Sequence, residues 1–78
     1  MRDLPEDESW ITERQAVVGS RLRAERLRQN LTQEAVFLAA GVDRRTLQAA
    51  EAGQGNPTFA TLLKIAHVLD VPLSDLIG

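Results

Sequence analysis

The stretch from residue 32 to residue 53 constrains the fold more than any other part of the chain. Thr32 and Asp43 are residue types whose side chains accept hydrogen bonds from the free amides at a helix start. Gly41 and Gly53 tolerate the left-handed backbone conformation that ends many helices. The spacing predicts two short helices joined by a turn of about three residues, which is typical of a helix-turn-helix motif. We expect these helices over residues 33–40 and 44–52.

Three further helices are predicted around this motif, over residues 12–29, 59–69 and 73–77. Thr12 is the expected N-cap of the first of them, and Thr58 caps the fourth helix because Pro57 holds the chain extended just before it. Asn30 and Asp70 are suited to a left-handed helix end. We therefore predict an all-α fold, a compact five-helix bundle.

Length and composition exclude several classes of protein. Seventy-eight residues are enough for one small domain. The absence of cysteine excludes disulfides and thiolate metal sites. No apolar run reaches the roughly 18 residues of a membrane span, and the acidic N-terminus is unlike a signal peptide. We expect a cytoplasmic protein without membrane association. We see no catalytic constellation, metal site or cofactor motif, and His67 has no second ligand residue at metal-binding spacing.

The charge is unevenly distributed along the chain. The net charge is −2, but residues 1–13 hold five acidic residues and one arginine, whereas residues 20–64 hold seven basic and four acidic residues. Local charge on one face matters more for nucleic-acid binding than the overall balance. We predict an acidic, flexible extension over residues 1–11 and a helix-turn-helix domain over residues 12–78. Its modest basic excess predicts weak non-specific DNA affinity that fades with salt.

Residues 18–77 resemble the Cro/C1-type (Xre) helix-turn-helix family of phage-repressor-like DNA-binding domains. The matching residues occur in one order and include Arg21-Leu22-Arg23, Arg26, Leu31-Thr32-Gln33-Glu34, Ala39-Ala40-Gly41-Val42, Leu47, Glu51, Gly53, Asn56-Pro57-Thr58, Leu62-Leu63-Lys64-Ile65-Ala66 and Val71-Pro72-Leu73-Ser74-Asp75-Leu76. The resemblance implies a lambda-repressor-like fold. It also implies a sequence-specific double-stranded DNA-binding transcriptional regulator, of repressor or controller type, that binds an operator as a homodimer.

The second helix of the motif is the expected recognition helix, whose first residues reach base edges in the major groove. Arg44 and Arg45 can each donate two hydrogen bonds to a guanine, and Gln48 can read adenine or bond a phosphate. Ala49 can place its methyl group against that of a thymine. Phosphate contacts are expected from four other residues, namely Gln33, Asn56, Thr58 and Arg23.

Two positions in the interior have expected structural roles. The resemblance implies that Arg26 and Glu51 form an ion pair behind the DNA-binding surface. The family usually has alanine where Phe37 stands and a larger apolar residue where Ala50 stands. We expect the Phe37 ring to fill the space that Ala50 leaves empty.

Large apolar residues near the two termini leave two alternatives open. Trp10 and Ile11 either dock on the domain's own surface or extend a dimer interface. We expect the last helix to close the core through Leu73, Leu76 and Ile77. The resemblance places dimer contacts at the same helix, so the candidate dimer contacts are Trp10, Leu73, Leu76 and Ile77. The alternative function is a protein-interaction module on the same fold, an antitoxin-type partner or an adaptor, which the acidic extension with its tryptophan would favour.

Overall fold

The computed structural model describes residues 1–78 and is entirely helical, without strands. Five helices follow one another in the order α1 Ser9–Arg28, α2 Gln33–Ala40, α3 Arg44–Glu51, α4 Phe59–Val68 and α5 Leu73–Ile77. The predicted all-α, five-helix fold is confirmed, and the bounds of α2 and α5 are those predicted. None of the helices combines the length and the hydrophobicity that a bilayer crossing requires.

The predicted start of the first helix was wrong. Helix α1 begins at Ser9 rather than after Thr12, and the Ser9 amide donates to Asp7 Oδ1 at 2.8 Å. The Asp7 carboxylate therefore accepts a hydrogen bond from a free amide in the first turn, and the helix begins three residues earlier than expected. As a consequence Trp10 and Ile11 lie in the first turn of α1, and only residues 1–8 precede the helix.

Side-chain caps define the starts of the three central helices. In each case a side-chain oxygen accepts a hydrogen bond from the amide three residues later, which satisfies a donor with no partner inside the helix. The pairs are Thr32 with Ala35 (3.0 Å), Asp43 with Thr46 (2.6 Å) and Thr58 with Thr61 (3.0 Å). The expected left-handed positions are also present, at Asn30, Gly41 and Asp70.

The core is aliphatic and lies where the five helices meet. Helix α1 packs on α3 and α5, while α2 packs on α3 and α4. The centre is formed by Leu22, Leu47 and Ile65, whose side chains are almost completely removed from water. The other buried apolar residues are Val36, Phe37, Ala40, Ala50, Ala66, Leu69 and Leu76. Phe37 and Ala50 thus share one core, although the proposed exchange of volume between them stays a prediction.

The backbones of α1 and α3 approach each other directly. A Cβ atom added to Gly19 would lie 2.5 Å from the carbonyl oxygen of Ala50 and 2.6 Å from that of Glu51. At Gly53, which has a φ of +71°, a Cβ would lie 2.7 Å from Ala16 Cα. The absence of side chains at these two positions therefore lets the end of α3 rest against α1.

Candidate nucleic-acid interface

The start of α2, the exposed side of α3 and the loop before α4 form one continuous polar surface, which we call the α2–α3 face. It consists of Gln33, Glu34, Arg44, Arg45, Gln48, Ala49 and Asn56. Side-chain contacts join α2 to α3 at two places, between Gln33 and Gln48 and between Glu34 and Arg44. The structure thus brings together most of the residues that sequence analysis named as DNA contacts.

Arg45 and Ala49 lie beside the loop that precedes α4. Together with Asn56 they line a shallow depression of about 210 Å³. The Arg45 guanidinium is exposed and makes no hydrogen bond or ion pair within the chain. All of its donors are consequently free for an external acceptor.

A chain of hydrogen bonds runs from the exposed side of α3 into the protein. Gln48 Nε2 donates to Gln33 Oε1 at 3.4 Å, and Gln33 Nε2 donates to Glu51 Oε1 at 3.2 Å. The side-chain oxygen of Gln48 accepts no bond in this chain, and one of its two amide hydrogens is free. The inner side of the Gln48 amide is therefore bonded to Gln33, while its carbonyl oxygen and one amide hydrogen are available to an external partner.

The chain of bonds ends at the ion pair between Arg26 and Glu51. Arg26 donates from Nε and Nη2 to the two Glu51 oxygens at 2.7 and 2.9 Å, and from Nη1 to the Leu31 carbonyl at 2.8 Å. The two side chains are 9% and 4% exposed. Hydrogen bonding to the carboxylate raises the pKa of Arg26, against the opposing effect of burial. This bidentate pair joins α1 to the last turn of α3.

Arg44 is presented differently from its neighbour Arg45. Its guanidinium carbon lies 5.4 Å from the centroid of the Phe37 ring, and its Nη2 lies 3.6 Å from Glu34 Oε2. A DNA contact was predicted for Arg44 from its position in the motif, whereas no functional role was predicted for Phe37 or Glu34. The only signal for Phe37 was an aromatic residue where the family usually has alanine, and Glu34 had none because its contact crosses the turn.

The remaining phosphate candidates differ in what their side chains already contact. Asn56 Oδ1 accepts from Gln15 Nε2 at 3.4 Å, which leaves the Asn56 amide group free to donate. The Thr58 hydroxyl donates to Thr61 Oγ1 at 2.9 Å while it caps α4. Arg23 is exposed on α1 and has no hydrogen bond or ion pair to the α2–α3 face.

The candidate dimer contacts differ in how much of each side chain is exposed. Trp10 and Ile77 are each 41% exposed and line the same apolar groove of about 450 Å³ between α1, α5 and the loop after α3. Leu73 is half-buried. Leu76 is only 2% exposed and packs in the chain's own core. Its side chain therefore closes the core, as expected, whereas a contact of this residue with a second copy stays a prediction.

Comparison with known proteins agrees with this geometry. A sequence profile of the helix-turn-helix family matches residues 22–76. The chain belongs to the Cro/C1-type helix-turn-helix family. This Cro/C1-type protein is therefore a DNA-binding transcription regulator. The members of its family share the fold of DNA-binding regulators, and the family is not a class of enzymes.

Two solved structures are similar to this Cro/C1-type protein. The restriction-modification controller protein C.AhdI from Aeromonas hydrophila is 34% identical, with a TM-score of 0.76 over 80% of this chain and 94% of that chain. The hypothetical transcription factor NHTF from Neisseria is 24% identical, with a TM-score of 0.79 over 100% of this chain and 85% of that chain, and shows the likeness of fold. A search of curated protein sequences finds no match.

Proposed function

We propose that the protein reads a specific double-stranded DNA sequence and binds an inverted-repeat operator as a homodimer, acting as a repressor or a controller. The observation that carries this proposal is the α2–α3 face, where exposed polar side chains project from a recognition helix whose inner side is held by the Arg26–Glu51 pair. A rigid support of this kind suits base recognition, because contacts to base edges require side chains in defined positions.

Four side chains of α3 suit base edges in the major groove, namely Arg44, Arg45, Gln48 and Ala49. Arg45 has free donors and can bond guanine O6 and N7 in the bidentate manner. Gln48 offers an acceptor for adenine N6 and a donor for adenine N7, while its other amide hydrogen stays with Gln33. Ala49, in the depression beside Arg45, can meet a thymine methyl group.

The phosphate backbone would be held on both sides of this helix. Gln33 stands at the start of α2, where free amides and the helix dipole favour an anion. Asn56 can donate from its free amide group, and Thr58 stands at the start of α4 beside further unpaired amides. Arg23 adds a cation on α1. These contacts would set the register of the protein on the duplex without carrying sequence information.

A homodimer is proposed because one recognition helix reads only one half-site. Two copies related by a two-fold axis would present their α3 helices about 34 Å apart, one turn of the double helix. Trp10, Ile77 and the half-buried Leu73 supply exposed apolar surface for such a contact. The likeness to a restriction-modification controller protein supports the controller role.

The test begins with selection of bound sequences from a random duplex library at about 150 mM salt, near physiological ionic strength. We expect an inverted repeat with guanine in each half-site. Arg45→Ala should then lose about 1–3 kcal/mol of operator binding and relax the preference at one base pair. Arg28→Ala is the control for loss of an arginine elsewhere, since Arg28 pairs with Glu25 on α1 and lies beside α5, outside the α2–α3 face. Enrichment of no sequence, or equal behaviour of the two variants, would contradict the proposal.

The exposed groove around Trp10 supports a second candidate, a protein-interaction module on the same fold that serves as an antitoxin-type partner or an adaptor. For such a protein Arg45→Ala would leave partner binding unchanged, whereas Trp10→Ala would weaken it. The two variants therefore discriminate between the candidates.

A further inference from the structure

We infer that Glu34 and Phe37 are positioning residues for Arg44, so that two side chains of α2 help to determine the base preference of α3. The inference rests on the proposed function. In this view the two adjacent arginines differ: the Arg45 side chain is free, whereas the Arg44 side chain is held in a defined direction.

The Arg44 guanidinium is restrained from two directions. Its guanidinium carbon lies over the Phe37 ring, 5.4 Å from the ring centroid. Glu34 lies at its edge, with 3.6 Å between Nη2 and Oε2. Glu34 and Phe37 are three residues apart on α2 and so share one side of that helix. Because both partners belong to α2, the guanidinium is directed toward α2 across the turn.

This restraint leaves the arginine able to bind DNA. The cation–π contact with Phe37 uses none of the hydrogen-bond donors of the guanidinium. The Glu34 contact is long, and the Arg44 and Glu34 side chains are 63% and 64% exposed, so water and salt weaken their attraction. Phe37, itself almost fully buried, is consequently the firmer of the two supports. An arginine whose direction is already set loses less side-chain freedom on binding.

Phe37→Leu tests the inference, because leucine keeps an aliphatic core residue but removes the aromatic face. Binding is measured on the selected operator and on single-base variants of it, with either arginine or alanine at position 44. We expect Phe37→Leu to reduce discrimination about two- to fivefold at one base pair, the value of an exposed cation–π contact. We expect no further loss when residue 44 is alanine, and Phe37→Tyr should restore the preference.

A second measurement needs no DNA. In the free protein the Arg44 side-chain protons should show an upfield ring-current shift in the NMR spectrum, and Phe37→Leu should abolish it. Glu34→Gln should leave most of that shift in place, since the ring is the firmer support. Thermal unfolding of each variant distinguishes a loss of protein stability from a loss of Arg44 positioning. A packing defect at residue 37 lowers the unfolding midpoint equally whether residue 44 is arginine or alanine.

The outcomes distinguish failure of the inference from failure of the proposed function. If Phe37→Leu weakens binding equally with and without Arg44, or uniformly at every base pair, Phe37 has only a structural role and the inference is overturned. If Arg45→Ala changes base preference while Phe37→Leu does not, the inference fails and the proposed function stands. If no duplex is enriched, both are overturned.

Discussion

Gly19→Ala probes the contact that holds the end of the recognition helix against α1. On an isolated helix this substitution stabilises by about 1 kcal/mol, because alanine is the better helix former. In this fold the new methyl group would lie 2.5 and 2.6 Å from the carbonyl oxygens of Ala50 and Glu51. Local propensity and tertiary packing therefore predict opposite signs for one substitution.

The packing effect should be the larger. Overpacking a close contact costs about 1–3 kcal/mol, and here the obstacles are two main-chain oxygens, which cannot rotate away. Taking the upper end of that range and subtracting the gain in helix propensity leaves a net loss of about 2 kcal/mol. For a domain of this size such a loss lowers the unfolding midpoint by about 8–16 °C.

Urea and thermal unfolding followed by far-ultraviolet circular dichroism measure this loss. Ser20→Ala is the control, because Ser20 is the next residue of α1 and is exposed. It changes helix propensity without a new contact and should stay within about 0.5 kcal/mol of the wild type. A Gly19→Ala protein as stable as the wild type, or more stable, would refute the direct approach of α1 and α3.

The ion pair and the helix caps provide three further tests. Glu51→Gln should lower the free energy of unfolding by about 3 kcal/mol, since it leaves the Arg26 charge buried without a counter-charge; an unchanged urea midpoint would contradict this. Hydrogen bonds from the amide and then the hydroxyl of Thr46 hold the pKa of Asp43 below its usual value. Its contribution to stability is therefore complete above about pH 4 and is lost as the pH falls through the lowered pKa. Thermal midpoints from pH 2 to 7 should fall more steeply with acid for the wild type than for Asp43→Asn, and parallel curves would argue against this role. Thr58→Ala should cost about 1 kcal/mol through the lost cap while Thr58→Ser should not, as paired denaturant titrations would show.

The helix-turn-helix could be predicted because its signals are local. Thr32, Asp43 and Thr58 each bond the amide three residues later, so a helix start depends on a few consecutive residues. Gly41 ends α2 by its own conformational freedom. The start of α1 was missed because Asp7 serves the amide of Ser9 and no periodic apolar pattern marks that turn.

All residues of the α2–α3 face except Glu34 were named from the sequence as candidate DNA contacts, but the contacts that their side chains make within the protein were not predicted. Nothing in the order of residues indicates that Arg45 is free while Arg44 is held by Glu34 and Phe37. These contacts cross the turn between two helices, and their existence depends on the angle at which the helices pack. The bond from Gln15 to the loop at Gly55 joins residues still farther apart in the chain.

The sequence by itself determined the number and type of helices and the caps of the three central ones, because helix periodicity and capping act within one or two turns. Only the tertiary structure decided that Gly19 is required, although glycine is a poor helix former. It also decided that Leu76 is buried while Ile77 is exposed, and that Arg45 is free while Arg44 is not. Those features depend on how backbones and side chains from distant parts of the chain share space, and close packing fixes that arrangement only when all five helices are in place.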